Sequence, residues 1–173
     1  MRIDQSIKTG EFAKQENIVK ALSTAKNGNG RLHLLGLISD GGVHSHINHL
    51  FALLAAAKEA GVSETYVHFF GDGRDTDPKS GAGYMQELLD KFDDLKYGKL
   101  GTVVGRYYAM DRDKRWERVQ VALEALTQGK GEKGTDDPVS DIKARYERKE
   151  TDEFLKPIIY SGEHGRLQGS FTM

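Results

Sequence analysis

Apolar positions in this chain alternate between short continuous runs and stripes at helical spacing, and the rhythm repeats three times. The first run, Leu32-His33-Leu34-Leu35-Gly36-Leu37-Ile38, has the length of a buried strand. After it, Ile47, Leu50, Phe51, Leu54 and Ala57 share one helical face that ends at Gly61, a C′ residue. The second run, Thr65-Tyr66-Val67-His68-Phe69-Phe70, is β-branched and aromatic, and its helical stripe is Met85, Leu88, Leu89, Phe92 and Leu95. The third goes from Leu100-Gly101-Thr102-Val103-Val104 to Trp116, Val119, Leu123 and Leu126, closed by Gly129. Residues 1–30 read as helical and peripheral, with a thin stripe of Ile18, Leu22 and Ala25 before the turn Asn27-Gly28-Asn29-Gly30. Residues 130–137 are polar and are expected to be mobile, and Pro138 suits the first position of a helix running to Glu150. Ile158-Ile159-Tyr160 reads as a further strand and Ser161-Gly162-Glu163-His164-Gly165 as a turn. Little follows that turn before Met173, so the chain is expected to be an excerpt of something longer.

Successive strand–loop–helix units predict an α/β fold in three layers: a largely parallel or mixed sheet with helices on its faces and right-handed crossovers. That topology sends the loops after all three strands to one edge of the sheet, the carboxyl edge, where ligands of open α/β folds bind. The residues least expected of bland loops lie in these three: His44, Arg74, Asp75, Arg106 and Arg112.

Composition narrows the picture without changing it. At 173 residues the chain is one domain, long enough for a sizeable core. A formal net charge of −1 argues against broad capture of nucleic acid. Cysteine is absent, which removes disulfides, thiolate metal sites and a cysteine nucleophile. Residues 1–5 lack the apolar core of a signal peptide and no run reaches membrane-spanning length, so a cytoplasmic protein is expected.

Three arginines from loops on one edge would make a cationic pocket for a small polyanion, because guanidinium is permanently charged and its fork matches phosphate or carboxylate. The paired glycines of Ser39-Asp40-Gly41-Gly42-Val43-His44-Ser45-His46 let backbone amides come close to an anion at the following helix start. His44 is placed to donate to a phosphoryl oxygen, and Asp75 to accept a proton from a substrate hydroxyl. Other readings of nearby residues are weaker. Asp40, His44 and His46 have loop spacing that does not define a metal site. Asp72, Asp75 and Asp77 fail as a calcium loop because Arg74 holds the third position. His33 and His68 read as structural histidines, Tyr107 and Tyr108 as wall and core, and Arg115 and Arg118 as a solvated helix face. No Gly-x-Ser-x-Gly elbow, Walker loop or Gly-x-Gly-x-x-Gly follows a strand.

The loops carry a more specific likeness. Ser39–His46, Asp72-Gly73-Arg74-Asp75, and Gly105-Arg106-Tyr107-Tyr108-Ala109-Met110-Asp111-Arg112-Asp113-Lys114-Arg115-Trp116 together resemble the cofactor-independent (2,3-bisphosphoglycerate-independent) phosphoglycerate mutases. The resemblance implies that residues 1–173 are the substrate-binding, or phosphotransferase, domain of a two-domain enzyme whose phosphatase-like domain flanks it. It implies that His44, Arg74, Asp75, Arg106 and Arg112 hold phosphoglycerate, with Asp75 handling the hydroxyl proton. The parent would interconvert 3-phosphoglycerate and 2-phosphoglycerate through a phosphoserine formed on the other domain, with two divalent metals, usually manganese. That parent would be a monomer. The serine, the metal-binding Asp and His residues and an Asn-x-Arg-x-x-Arg segment have no counterpart here, so the chain alone should bind no metal and turn over no substrate. Residues from about Gln168 depart from the family pattern. The competing expectation is a non-catalytic module that binds a phosphorylated metabolite.

Overall fold

Three apolar runs lie side by side as parallel strands: β1 (Arg31–Leu37), β2 (Glu64–Gly71) and β3 (Lys99–Gly105). They belong to a computed structural model that describes residues 2–168. Two further strands extend the sheet beyond β3, namely β4 (Glu132–Lys133) and β5 (Ile158–Ile159), in the order β1-β2-β3-β5-β4. β5 runs antiparallel to β3, so the sheet is mixed. The segment expected to be mobile thus holds a strand: Glu132 and Gly134 donate backbone N–H groups to Pro157 and Ile159. Its polar sequence hid this, because a two-residue edge strand needs backbone partners rather than an apolar face.

Each strand alternates its side chains between two faces. Val67, Phe69 and Val103 point into an apolar layer covered by α3 (Ile47–Ala60), α4 (Gly81–Leu95) and α7 (Pro138–Glu147), where Leu54, Met85, Leu88 and Ile142 are fully buried. Leu37, Phe70 and Val104 point the other way, against Ala122 and Leu126 of α6 (Trp116–Gln128). The peripheral N-terminal region is helical as expected: α1 (Arg2–Lys8) and α2 (Glu16–Asn27), whose Leu22 packs with Ala56 and Ala57 of α3. Gly61 and Gly129 close α3 and α6 in the left-handed conformation, at φ 78° and 67°. Pro138 opens α7 with Asp137 as its N-cap, and the helix stops at Glu147 rather than Glu150. Residues 169–173, most of the stretch expected to depart from the family pattern, lie outside the described residues, and among those described no helix is long and apolar enough to cross a membrane.

The strand histidines form a hydrogen-bonded row across the parallel strands. His33 Nδ1 and His68 Nε2 are 3.0 Å apart, and His68 Nδ1 and Thr102 Oγ1 are also 3.0 Å apart. His68 is fully buried, and burial together with the neighbouring His33 pushes its imidazole down to about 3. It is therefore neutral, and its two ring nitrogens serve one bond each.

Candidate functional site

The carboxyl ends of β1, β2 and β3 meet at one carboxylate. Asp72, just past β2, is 3% exposed. Its Oδ2 accepts from Ser39 Oγ at 2.6 Å, in the loop after β1. Its Oδ1 accepts from Arg106 Nη1 at 2.7 Å, at the first residue after β3, and from the backbone N–H groups of Arg74 and Asp75 at 3.2 and 3.0 Å. Burial alone would push the Asp72 carboxyl up, but those donors outweigh it and hold it below the usual carboxylate range. Arg106, 8% exposed, divides Nη1 between Asp72 and Asp75, the second at 2.8 Å. Burial disfavours its charge, yet the two aspartates raise its affinity for the proton above the ordinary value.

Contacts bring four of the expected site residues to this edge, His44, Arg74, Asp75 and Arg106, and none ties Arg112 to them. Asp75 is partly buried beside Arg106, and His44 Nε2 lies 4.0 Å from its Oδ2. Arg74 is half exposed, with Nε 3.8 Å from Glu153 Oε1. Arg112 lies beyond α5 (Arg106–Ala109), a single helical turn where the sequence indicated only loop. It is exposed and makes no hydrogen bond or ion pair with the described residues. The loop carrying it is organised by Asp111, which accepts from the backbone N–H of Arg115 at 2.8 Å and from Arg118 Nη1 at 3.2 Å. Arg118 departs from the solvated face expected of it: its guanidinium sits 3.9 Å over the Tyr107 ring. Tyr107 and Tyr108 are partly buried in an edge-to-face pair, as wall and core. His46 caps α3, its Nδ1 accepting from Asn48 N–H at 3.2 Å.

Sequence reasoning missed the segment that roofs this edge. The short 3₁₀ turn Asp152–Phe154 crosses the ends of β2 and β3. A Cβ at Gly71 would lie 2.3 Å from Asp152 O, and one at Gly105 would lie 2.2 Å from Glu153 O. Only glycine permits that approach. Asp152 then caps α4 from afar, accepting from Gly81 N–H at 2.7 Å and from Tyr146 Oη at 2.5 Å. Phe154 packs on Tyr107, and Glu153 reaches Arg74. The glycines ending both strands were the available signal, but nothing local identified the segment that uses them. Ser39 and Asp72 were missed for a similar reason, since short polar residues in glycine-rich loops look like turn formers.

In chemical terms the edge offers fixed and free guanidinium groups, a carboxylate beside one of them, and an exposed imidazole. Those are groups able to bind a small anion and to move a proton at its hydroxyl. Among the described residues no three His, Cys, Asp or Glu side chains are grouped to hold a metal ion. The divalent metals that the family likeness implies therefore have no ligand set in these residues.

Fold and edge together define an open α/β domain whose functional groups cluster at the ends of parallel strands. Comparison with known proteins narrows this. The family model described as BPG-independent PGAM N-terminus (iPGM_N) matches residues 3–170. The chain is 56% identical to a 2,3-bisphosphoglycerate-independent phosphoglycerate mutase of Caenorhabditis elegans, covering 100% of this chain and 32% of that protein. It is 51% identical to the enzyme of the same name from Listeria welshimeri, covering 91% of this chain and 31% of that one. A crystal structure of Leishmania mexicana phosphoglycerate mutase at low cobalt concentration superimposes with a TM-score of 0.84 at 27% identity, over 98% of this chain and 32% of that one. The chain belongs to the BPG-independent phosphoglycerate mutase N-terminus family. It spans about a third of the length of the curated relatives it matches.

Proposed function

We propose that this chain is the phosphoglycerate-binding part of a cofactor-independent phosphoglycerate mutase, a cytoplasmic, monomeric isomerase that interconverts 3-phosphoglycerate and 2-phosphoglycerate. The observation that carries the proposal is the meeting of three strand-end loops around Asp72, Asp75 and Arg106, in a chain whose relatives bear that enzyme's name. Arg74, Arg106 and Arg112 supply positive charge for the phosphate and carboxylate. His44 donates a hydrogen bond to the bound anion. Asp75 accepts the proton of the sugar-acid hydroxyl as that hydroxyl becomes the phosphate acceptor, and Arg106 Nη1 holds its Oδ2 in place at 2.8 Å. The serine that carries phosphate between the two hydroxyls belongs to the rest of the polypeptide, in a phosphatase-like domain. The same domain would supply the ligands for two divalent metals, manganese being the expected ion. On this reading the chain alone binds substrate and does not turn it over.

Calorimetry with 3-phosphoglycerate tests the reading. A charge-assisted hydrogen bond is worth roughly 1.5–3 kcal/mol, so Arg74→Ala should bind about tenfold to a hundredfold more weakly than wild type. Equal binding by the two proteins, or none by wild type, counts against the pocket.

A further inference from the structure

Asp72 stands apart from the residues that face solvent on this edge, because it is buried and turned toward donors of the protein itself. A carboxylate offers about four acceptor positions. Four donors reach it, three on Oδ1 (the N–H groups of Arg74 and Asp75, and Arg106 Nη1) and one on Oδ2 (Ser39 Oγ). The side chain is 2% exposed, so it is closed off from a ligand and direct contact is not its task. The donors come from three separate loops, and two of the residues, Arg74 and Arg106, carry the cations of the proposed pocket. Arg106 spends both hydrogens of Nη1 on Asp72 and Asp75, which leaves Nε and Nη2 without a protein partner among the described residues.

We infer that Asp72 is a positioning residue for phosphoglycerate recognition: it sets the Arg106 guanidinium and the Arg74–Asp75 backbone in the geometry the ligand meets. This rests on the functional reading above and deepens it. Two mechanisms give opposite signs. Through space, a negative charge close to a polyanion weakens binding, and removing it should tighten the complex. Through geometry, removing the charge loosens three loops at once. The charge-assisted bonds to Asp72 are roughly twice as strong as neutral ones, and small misplacements of binding groups cost up to about a hundredfold. The second effect should win because one carboxylate aligns several groups while contributing one unit of repulsion.

The test is Asp72→Asn, which keeps shape and most acceptor capacity while discarding the charge. Binding of 3-phosphoglycerate should weaken by about tenfold or more, while the cooperative melt without ligand is retained. In double-mutant cycles the loss should be strongly non-additive with Arg106→Lys and additive with Arg112→Ala, a pattern that general loosening of the fold does not produce. A readout without ligand separates this inference from the functional one: amide hydrogen exchange at Arg74 and Asp75 should speed up by about tenfold. Should Asp72→Asn fail to fold, Ser39→Ala removes one of the four bonds and no charge, and binding should weaken several-fold. Unchanged or tighter binding in the folded variant, or unchanged exchange at both amides, overturns the positioning role. If wild type binds no 3-phosphoglycerate the functional reading fails, and the exchange rates still decide whether Asp72 holds the loops.

Discussion

Two buried polar networks sit four residues apart on β2 and its continuation, and they solve the same problem in opposite ways. His68, in mid-strand, lies between His33 and Thr102 on a face made of side chains, so the only affordable state is neutral. Asp72, past the strand end, lies where backbone N–H groups and a guanidinium are at hand, so it stays charged. The cause is the position in the sheet. Inside a ladder the backbone donors are already engaged with neighbouring strands, whereas at the carboxyl edge the loops leave them free. A buried charge is therefore stabilised at the edge and excluded from the middle, which is where a site for anions and protons can be built.

The widest breach of this contrast is Asp72→Ala, which takes from the buried Arg106 its most buried counter-charge, leaving Asp75 alone, and orphans the Arg74 and Asp75 N–H groups. It should destabilise the chain by about 3–5 kcal/mol in urea unfolding, far more than a surface change. Next comes pH. Below pH 6.5 the unfolded chain protonates His68, while the folded chain refuses that proton until about pH 3. The unfolded state thus binds more protons in this window, and stability should fall as pH falls, by up to about 1.4 kcal/mol per pH unit. His33, held low by burial and by Arg31, adds to the loss in the same direction. Asp72, held low by its donors, extends it toward more acidic pH. His68→Gln should flatten the urea midpoint across this range; an unaltered pH slope would show that the histidine row is not its source. The smallest effect is expected at Arg112. Its Ala variant should melt within about 0.5 kcal/mol of wild type, since the side chain is exposed and unpartnered among the described residues, yet should still weaken phosphoglycerate binding. A large loss of stability there would erase the distinction between edge residues that hold the fold and those left for a ligand.

Much of the architecture was legible because it depends on periodicity. The three strand–helix units, the closures at Gly61 and Gly129, and the meeting of the loops that carry His44, Arg74, Asp75 and Arg106 follow from local pattern plus the handedness of crossovers. Arg118 was misjudged because helical spacing put it beside Glu117, and only folding brought Asp111 and Tyr107 under it. Strand β4 was missed because its polar residues give no period, and its partner lies far along the chain.

What the sequence determined by itself is the βα order and the list of chemically unusual loop residues, since both are written in spacing of a few residues. What the tertiary structure decided is how those residues are used. Asp72 is a buried junction of three strand ends, Arg106 is half committed to it, and residues 152–154 press on glycines at the ends of two strands. These contacts join segments separated by tens of residues through single hydrogen bonds and close backbone approaches. Such contacts depend on where the layers come to rest, and no local pattern encodes that.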